Sequence, residues 1–352
     1  MGIFYMLNRL IKIERDYGYV LPQKYIAVRP AWPRDSARLL VYNRKTSNIF
    51  HKTFLHLNDY LPPKSLIIFN DTKVIPARLH AHKETSGKIE IFFLGKDKNK
   101  IQAFLSPALA IGRRAYITKK IFFDVIGQQE KIFILKPNFP AKQLGSILQK
   151  YGSTPLPPYI KDTPLTEKQA REQYQAVFAK VKGSVAAPTA SLHFTKKLLR
   201  FLRAKGHSIG FITLHVNLGT FAPLTDENIR TGRLHEETFF IPASTRRMIR
   251  KAKQQNRPII ACGTTVVRAI ESSSQEIEFR KKSEWQKTDL FIKPGYRFRI
   301  IDGLITNFHL PKSSLLMLVA AFMGKKELLR VYQKAIREKY RFYSFGDGML
   351  IK

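Results

Sequence analysis

The stretch GLITNFHLPKSSLLMLVAAFMG, residues 303–324, contains a strand-like apolar run followed at once by the most apolar helix pattern in the chain. Three polar side chains, Thr306, Asn307 and His309, lie at the junction. A buried helix needs a capping residue, which Ser313 or Ser314 provides, but it does not need an imidazole before that cap. Helix capping therefore does not explain these three side chains, and the succession of a strand and a buried helix is itself typical of an α/β fold.

The alternation of strand and helix patterns continues through the second half of the chain. Residues 207–216 and 257–262 are typical of strands, and residues 264–272 are typical of a helix. The segment 289–308 predicts further strands joined by turns at Pro294-Gly295 and Asp302-Gly303. Strands that alternate with helices indicate an α/β domain.

A different pattern precedes this region. Between residues 73 and 136, short apolar runs follow one another at intervals of about ten residues, which predicts a small antiparallel barrel. The proline-rich segment 153–164 then reads as a connection. We predict an α/β main domain with an inserted small antiparallel β-barrel domain. The predicted boundaries are 16–72 and 151–352 for the discontinuous catalytic domain, 73–150 for the barrel and 1–15 for an N-terminal extension.

The charge of the chain is strongly unbalanced. Of 352 residues, 61 are Lys or Arg and 26 are Asp or Glu, which gives a formal net charge of +35. Such a balance favours a polyanionic partner, most commonly nucleic acid, although a general bias toward lysine is the competing explanation. One predicted helix carries several cations that we expect to contact phosphates: Arg246, Arg247, Arg250, Lys251 and Lys253.

Cysteine usage and hydropathy limit the class of protein. The single cysteine, Cys262, excludes an internal disulfide and a multi-cysteine zinc site. Charged residues interrupt the apolar stretches of residues 1–15, which is unlike a signal peptide. The apolar run 315–323 is too short to span a bilayer. We therefore expect a cytoplasmic protein.

Two stretches carry polar or small residues where a strand ends. Asn70, Asp71 and Thr72 follow an apolar run, where an Asx turn is the simplest explanation. Residues 183–195 are mostly small, which allows a ligand to approach the backbone, although a loop followed by a helix cap explains them equally well.

Histidines and carboxylates suggest acid–base chemistry at two further positions. His215 lies in a strand pattern, where a structural hydrogen-bonded histidine is the more common case. His235, Glu236 and Glu237 are consecutive and form either an acid–base pair or an exposed helix end. A metal site is poorly supported there, because no second histidine follows at ligand spacing.

The Gly-Thr-Thr turn within residues 261–272 ends a strand and begins a helix. Its amides and hydroxyls can hold an anion or can simply cap the helix. Neither a G-x-G-x-x-G loop nor a phosphate-binding G-x-x-x-x-G-K-[ST] loop is present, so neither a dinucleotide fold nor a nucleotide triphosphatase is indicated.

Taken together, these stretches resemble the signature blocks of one family, S-adenosylmethionine:tRNA ribosyltransferase-isomerase of queuosine biosynthesis. The blocks occur in the family's order over residues 16–352 and are LPQKYIAVRPAWPRDSARLLV, LIIFNDTKVIPARL, GSVAAPTASLHFT, TLHVNLGTF, ACGTTVVRAIES, TNFHLPKSSLLMLVAAF and YRFYSFGDGMLI. The chain departs from the pattern at Asn217-Leu218, at Ser191, in the LHEE stretch and at Cys262, which we do not expect to be a nucleophile.

The resemblance implies a transferase that moves and isomerises the ribosyl part of S-adenosylmethionine onto 7-aminomethyl-7-deazaguanine at the tRNA wobble position. Epoxyqueuosine-tRNA, adenine and methionine are the implied products. It also implies no metal and no tightly bound cofactor, a tRNA with a GUN-type anticodon as partner, and a monomer as the simplest state. The alternatives are a non-catalytic tRNA-binding protein and an S-adenosylmethionine-dependent RNA methyltransferase.

Such chemistry needs groups that move protons, because a proton leaves the carbon next to the sulfonium and adenine departs protonated. The candidate catalytic residues are therefore His215, His309, His235 and Glu237. The candidate substrate-binding residues are Asn70, Asp71, Thr72, Arg78, Ser184, Pro188, Thr189, His193, Gly219, Thr220, Gly263, Thr264, Thr265, Arg268, Thr306, Asn307 and Asp347.

Overall fold

A computed structural model describes residues 15–216, 224–279 and 283–352 of the chain. Gly219 and Thr220, and nearly all of the predicted N-terminal extension, lie outside the described residues. The described part contains a nine-stranded mixed sheet, a smaller antiparallel barrel and helices on the large sheet. This arrangement confirms the predicted fold class of an α/β domain with an inserted β-barrel.

The large sheet has a parallel centre. Strands β13, β3, β15 and β17 are parallel to one another, whereas β18 and β14 flank them in the antiparallel direction. Its strands, numbered in chain order and given in sheet order, are β16 (Trp285–Leu290), β14 (Arg233–Phe240), β13 (Ser208–Leu214), β3 (Leu66–Asn70), β15 (Ile259–Cys262), β17 (Gly303–Asn307), β18 (Gly348–Ile351), β1 (Arg38–Tyr42) and β2 (Ile49–Thr53).

The barrel is closed by pairing of its first and fourth strands in chain order, through His82 and Tyr116. Its six strands, in sheet order, are β5 (Arg78–His82), β6 (Lys88–Asp97), β7 (Lys100–Ser106), β10 (Ile132–Pro137), β9 (Ile121–Gln129) and β8 (Arg114–Thr118). The short strand β11 (Gly152–Ser153) pairs with β5, and a separate parallel pair is formed by β4 (Thr72–Val74) and β12 (Val181–Ser184).

Helices lie on the large sheet and at its edges. The described helices are α1 (Leu57–Tyr60), α2 (Leu144–Tyr151), α3 (Glu167–Gln173), α4 (Lys196–Ala204), α5 (Asp226–Thr231), α6 (Ala243–Gln254), α7 (Thr264–Ser272), α8 (Ser274–Phe279), α9 (Ser314–Met323) and α10 (Lys325–Arg337). The hydroxyl of Ser313 accepts a hydrogen bond from the amide of Leu316, so Ser313 is the cap predicted for the apolar helix α9. No helix of the described residues is long and apolar enough to cross a membrane.

One predicted strand is absent. Residues 291–302 between β16 and β17 form turns and loops, not the strand predicted between the turns at Pro294-Gly295 and Asp302-Gly303. The buried carboxylate of Glu271, near the end of α7, accepts the backbone N–H groups of Arg299, Ile300 and Ile301 at 2.9–3.0 Å. Because these amides are bonded to a side chain, they are not available to pair with a neighbouring strand.

Candidate active site

A cleft lies at the sheet edge where the central parallel strands end. Parallel strands place their carboxyl ends at the same edge, which is the usual ligand site of open α/β sheets. The turns after β15 and β17 both contribute to the cleft, as does the residue two positions after β13. The described lining residues are Tyr159, Ala187, Pro188, Thr189, Ala190, Val216, Gly263, Thr264, Thr265, Thr306, Asn307, Phe308, His309, Leu310, Leu315, Tyr343 and Ser344.

His309 is held in one wall of the cleft by both its backbone and its ring. Its amide donates to the hydroxyl of Tyr332 at 2.9 Å, and its carbonyl accepts the hydroxyl of Tyr19. Its ring atom Nε2 lies 2.7 Å from Oγ1 of Thr306. Burial lowers the pKa of the imidazole to about 3, so the ring is neutral at physiological pH. His309 can therefore donate or accept a hydrogen bond in the cleft without carrying a charge.

Asn307 is fixed by three partners. Its Oδ1 accepts the hydroxyl of Thr189 at 2.9 Å, and its Nδ2 donates to the carbonyl of Tyr343 at 3.2 Å and to Nε2 of His193 at 3.3 Å. The His193 ring is buried and stacked on Phe54 with ring centroids 4.3 Å apart, and it does not line the cleft. His193 thus positions Asn307, which joins β17 to the loop of small residues at 185–190.

A second part of the cleft lining is the Gly-Thr-Thr turn that begins α7. Gly263 has a φ of 100°, a backbone conformation that favours glycine, and Thr264 and Thr265 are buried in the first turn of the helix. Asn70 reaches this turn from β3, because its Nδ2 lies 3.4 Å from Oγ1 of Thr265 and also donates to the carbonyl of Leu214. Asn70 therefore supports the turn from behind and does not line the cleft.

The 70–72 segment forms the turn that local chemistry predicts. Oδ1 of Asn70 accepts the amide of Thr72 at 3.1 Å, which is an Asx turn, and also the amide of Leu214 at 3.0 Å. Asp71 accepts the hydroxyl of Thr213 at 2.6 Å, and burial raises the pKa of its carboxyl. These bonds tie the end of β3 to the end of β13.

His215 follows β13 directly, but its ring does not line the cleft. Its Nδ1 lies 2.9 Å from the hydroxyl of Thr72, and its ring stacks on Trp285 with centroids 5.2 Å apart. Burial lowers the pKa of this imidazole. The neighbouring residue, Val216, does line the cleft. His215 and His309 therefore belong to two separate hydrogen-bonded clusters, one with Thr72 and the other with Thr306.

Three polar residues that the sequence did not single out also line the cleft. Tyr159 lies in the proline-rich connection, and Tyr343 and Ser344 lie in the C-terminal block. The hydroxyls of Tyr159 and Ser344 are 2.6 Å apart, and the rings of Tyr159 and Tyr343 have centroids 4.9 Å apart. The only local signal was an aromatic residue inside a proline-rich connection, which does not by itself indicate a ligand.

Several predicted site residues lie outside the cleft as described. Glu237 forms a buried ion pair with Arg268, and Arg268 also donates to the carbonyl of Leu290 at 3.0 Å. His235 is exposed on β14. Arg78 pairs with Glu90 on the barrel.

Two further residues hold the backbone near the cleft. Ser184 donates to the carbonyl of Ala186 and accepts the amide of Val216, so it joins the small-residue loop to the end of β13. Asp347 accepts the amides of Arg38 and Arg341 at 3.1 and 2.8 Å. The substrate-binding roles of Ser184, Asp347, Arg268 and Arg78 stay predictions, and so do the catalytic roles of His235 and Glu237.

The described residues hold one buried thiol and no cluster of metal-binding side chains. Cys262 is buried in β15, and burial raises the pKa of its thiol, so the nucleophilic thiolate is disfavoured. Within residues 15–216, 224–279 and 283–352, no group of three or more His, Cys, Asp or Glu side chains is placed to hold a metal ion.

The basic helix α6 does not present its five cations on one surface. Arg246 is buried, with Nε donating to the carbonyl of Ile241 at 3.2 Å, so the prediction of an exposed phosphate contact is wrong for this residue. Arg250 and Lys253 donate to the carbonyls of Ile277 and Arg299. The helical period of 3.6 residues turns position 246 toward the sheet together with buried Ile249, and leaves Arg247 and Lys251 exposed.

Two buried histidines predict a specific sensitivity to acid. Burial lowers the pKa of His193 and of His309 to about 3, whereas an unfolded histidine titrates near pH 6.5. Above about pH 6.5 both states are neutral, but between about pH 6.5 and pH 3 only the unfolded chain takes up these protons. We therefore expect the free energy of unfolding to decrease as the pH is lowered from about 6.5 to about 3. In urea titrations at several pH values, the free energy of unfolding of His193→Asn and of His309→Asn should decrease less steeply with falling pH than that of the wild type. The same pH dependence in the wild type and both variants would contradict this origin of the acid sensitivity.

Comparison with known proteins gives a consistent result. A family described as "Queuosine biosynthesis protein" matches residues 14–351. The chain is 46% identical over 340 residues to an S-adenosylmethionine:tRNA ribosyltransferase-isomerase of Sulfurihydrogenibium sp., covering 96% of this chain and 98% of that protein. It is 44% identical over 353 residues to a protein of the same name from Aquifex aeolicus, covering 97% and 100%.

A solved structure is also similar. The crystal structure of an S-adenosylmethionine tRNA ribosyltransferase from Thermotoga maritima has 32% sequence identity to this chain and a TM-score of 0.54. The match covers 96% of this chain and 100% of that one.

Proposed function

Because the chain belongs to the S-adenosylmethionine:tRNA ribosyltransferase-isomerase family of queuosine biosynthesis, we propose that the cleft binds the adenosyl part of S-adenosylmethionine. The enzyme transfers and isomerises the ribosyl group of this substrate onto 7-aminomethyl-7-deazaguanine in tRNA, and it releases adenine and methionine. The family does not favour the two alternatives, an RNA methyltransferase and a non-catalytic tRNA-binding protein.

The observation that carries the proposal is the neutrality of the cleft. None of its described lining residues has a charged side chain at neutral pH, since His309, the one titratable histidine among them, is neutral. Adenine and ribose are uncharged and rich in hydrogen-bonding groups, which matches a wall of threonine hydroxyls and one amide. The ammonium and carboxylate of the methionine part would lose their hydration in such a cleft without gaining a charged partner, which is energetically unfavourable. We therefore place them toward its rim.

Proton transfer is the chemical task that the cleft has to perform. The sulfonium acidifies the hydrogens of the neighbouring ribose carbon, and a base must accept one of them before the sugar rearranges. Adenine leaves with a proton, and the aminomethyl group attacks as a neutral amine. A neutral imidazole held by Thr306 can orient a substrate atom and exchange a proton with it. We assign this combined role of orientation and proton exchange to His309, and His215, His235 and Glu237 stay candidate acceptors of the ribose proton.

The partner and setting of the reaction complete the proposal. We propose a tRNA with a GUN-type anticodon as the substrate, as the family resemblance implies, and the net charge of +35 favours its binding. We propose that the enzyme acts as a monomer in the cytoplasm. We also propose that it uses no tightly bound cofactor, because S-adenosylmethionine itself supplies the activated carbon.

The decisive experiment follows all products of one reaction. The protein is incubated with S-adenosylmethionine and a tRNA that carries the aminomethyl-deazaguanine base, with and without EDTA. We expect epoxyqueuosine by nucleoside mass spectrometry and equal amounts of adenine and methionine, unchanged by the chelator. Release of S-adenosylhomocysteine would indicate a methyltransferase, and tight tRNA binding without any product would indicate a binding protein.

Fragments of the substrate test the assignment of the cleft. We expect 5′-methylthioadenosine to compete with S-adenosylmethionine, and methionine alone to compete far more weakly. Thr265→Val should weaken inhibition by methylthioadenosine about tenfold, which corresponds to the loss of one hydrogen bond. Thr213→Val is the matched control, because its hydroxyl bonds to Asp71 away from the cleft. Competition by methionine but not by methylthioadenosine would place the adenosyl part elsewhere.

A further inference from the structure

The chain has two tryptophans, and both are unusually exposed. Trp32 is 75% exposed and Trp285 is 49% exposed, although tryptophan is on average one of the more buried residues of folded proteins. Trp285 is the first residue of β16, the edge strand of the large sheet. A large apolar ring that stays at a sheet edge is a candidate contact surface.

The ring of Trp285 is held in a fixed orientation. One side stacks on the imidazole of His215 with an interplanar angle of 22°, and Phe240 packs beside it with centroids 5.5 Å apart. His215 is itself held by the hydroxyl of Thr72 and by the backbone at Gly183, where a Cβ atom would lie 2.7 Å from the imidazole. Trp285 is therefore a rigid plane, and nearly half of its surface remains open to solvent.

This plane lies next to the proposed active site. Val216 directly follows His215 in the chain and lines the cleft. Exposed Lys182 directly precedes Gly183, which contacts His215, and exposed Lys180 lies near Asp71. An open aromatic ring, together with an exposed lysine on the segment that contacts its stacking partner His215, is a combination by which proteins bind unpaired nucleotides, because the ring stacks on a base while the cation contacts a phosphate.

We propose that Trp285 stacks on an unpaired nucleobase of the tRNA anticodon loop, next to the base that enters the cleft. The inference rests on the proposed function, which requires the wobble base to leave its stack. A base that leaves the loop exposes one face of its neighbour, and Trp285 replaces the lost stacking partner. Lys180 and Lys182 then contact phosphates of the same loop.

Tryptophan fluorescence provides a direct test. In a Trp32→Phe variant, Trp285 is the sole tryptophan, and we expect a synthetic anticodon stem-loop RNA to quench its fluorescence. The matched Trp285→Phe variant retains only Trp32 and should show no quenching. No change in the first variant, or quenching only in the second, would overturn the proposal.

Kinetics distinguish stacking from packing. Trp285→Ala should raise the KM for tRNA about ten- to hundredfold and leave the KM for S-adenosylmethionine unchanged, and Trp285→Phe should restore most of the loss because phenylalanine also stacks. Phe201→Ala is the control, since Phe201 is another exposed aromatic residue, on α4, with a cation above its ring. A lower melting temperature for Trp285→Ala with an unchanged KM for tRNA would reduce Trp285 to a packing partner of His215.

The two proposals can fail separately. If wild-type protein releases no adenine, the proposed function is wrong, whatever the fluorescence shows. If wild-type protein is active but Trp285 is neither quenched nor needed for tRNA affinity, only the stacking inference is wrong.

Discussion

A His309→Asn variant is expected to release adenine about 10²–10⁴-fold more slowly in a single turnover and to melt near the wild-type temperature. The rate loss is the usual range for a group that takes part in proton transfer. The fold should tolerate the change because the backbone of His309 is held separately, by the hydroxyls of Tyr19 and Tyr332. Adenine release is measured by rapid quench across a pH series, together with thermal melts of the same preparations.

His193→Asn is the matched control for this experiment. Both histidines are buried, and both have a pKa lowered to about 3, but only His309 lines the cleft. We expect His193→Asn to lower the melting temperature, while the folded fraction keeps most of its turnover. Asn307→Ala should show a milder loss of rate than His309→Asn, since an amide orients a substrate but does not titrate. Wild-type turnover together with a lowered melting temperature in His309→Asn would make His309 an ordinary core residue.

Removing either partner of the Glu237–Arg268 pair is expected to destabilise the protein by about 3–5 kcal/mol, because the remaining charge stays buried without its counter-ion. Both side chains are almost inaccessible to solvent, at 2% and 4% exposed. Glu237→Gln and Arg268→Met should each lower the free energy of unfolding by this amount in urea titrations. The double variant Glu237→Leu/Arg268→Met should recover most of the loss, since two apolar side chains replace two charges.

The same double variant decides whether Glu237 moves a proton. If the pair only joins β14 to α7, the folded double variant should release adenine at close to the wild-type rate. A stable double variant that has lost a hundredfold or more in rate would instead support the catalytic role predicted from the sequence. His235→Asn is the neighbouring control, because His235 is exposed on the same strand.

Local structure was determined by the sequence to a large extent. The helix predicted at 264–272 spans Thr264–Ser272, and Ser313, one of the two serines predicted to cap the apolar helix, accepts the amide of Leu316. These features depend on periodicity and on hydrogen bonds between residues three or four apart, so neighbouring residues suffice to specify them. The fold class followed for the same reason, since the order of strand and helix patterns restricts how layers can pack.

The composition of the cleft was decided only by the tertiary structure. Sheet order brings the ends of β15 and β17 together although Cys262 and Asn307 are 45 positions apart in the chain, and it turns His215 away from the cleft that His309 lines. Contacts with residues distant in the chain also changed two local predictions. The carboxylate of Glu271 accepts the amides of Arg299, Ile300 and Ile301, which were predicted to lie in a strand. Arg246, which was predicted to be exposed, is buried. The hydrogen-bond partners and the pKa of a side chain depend on the residues that surround it in space. Local sequence patterns identify the side chains but do not determine which distant residues become their neighbours.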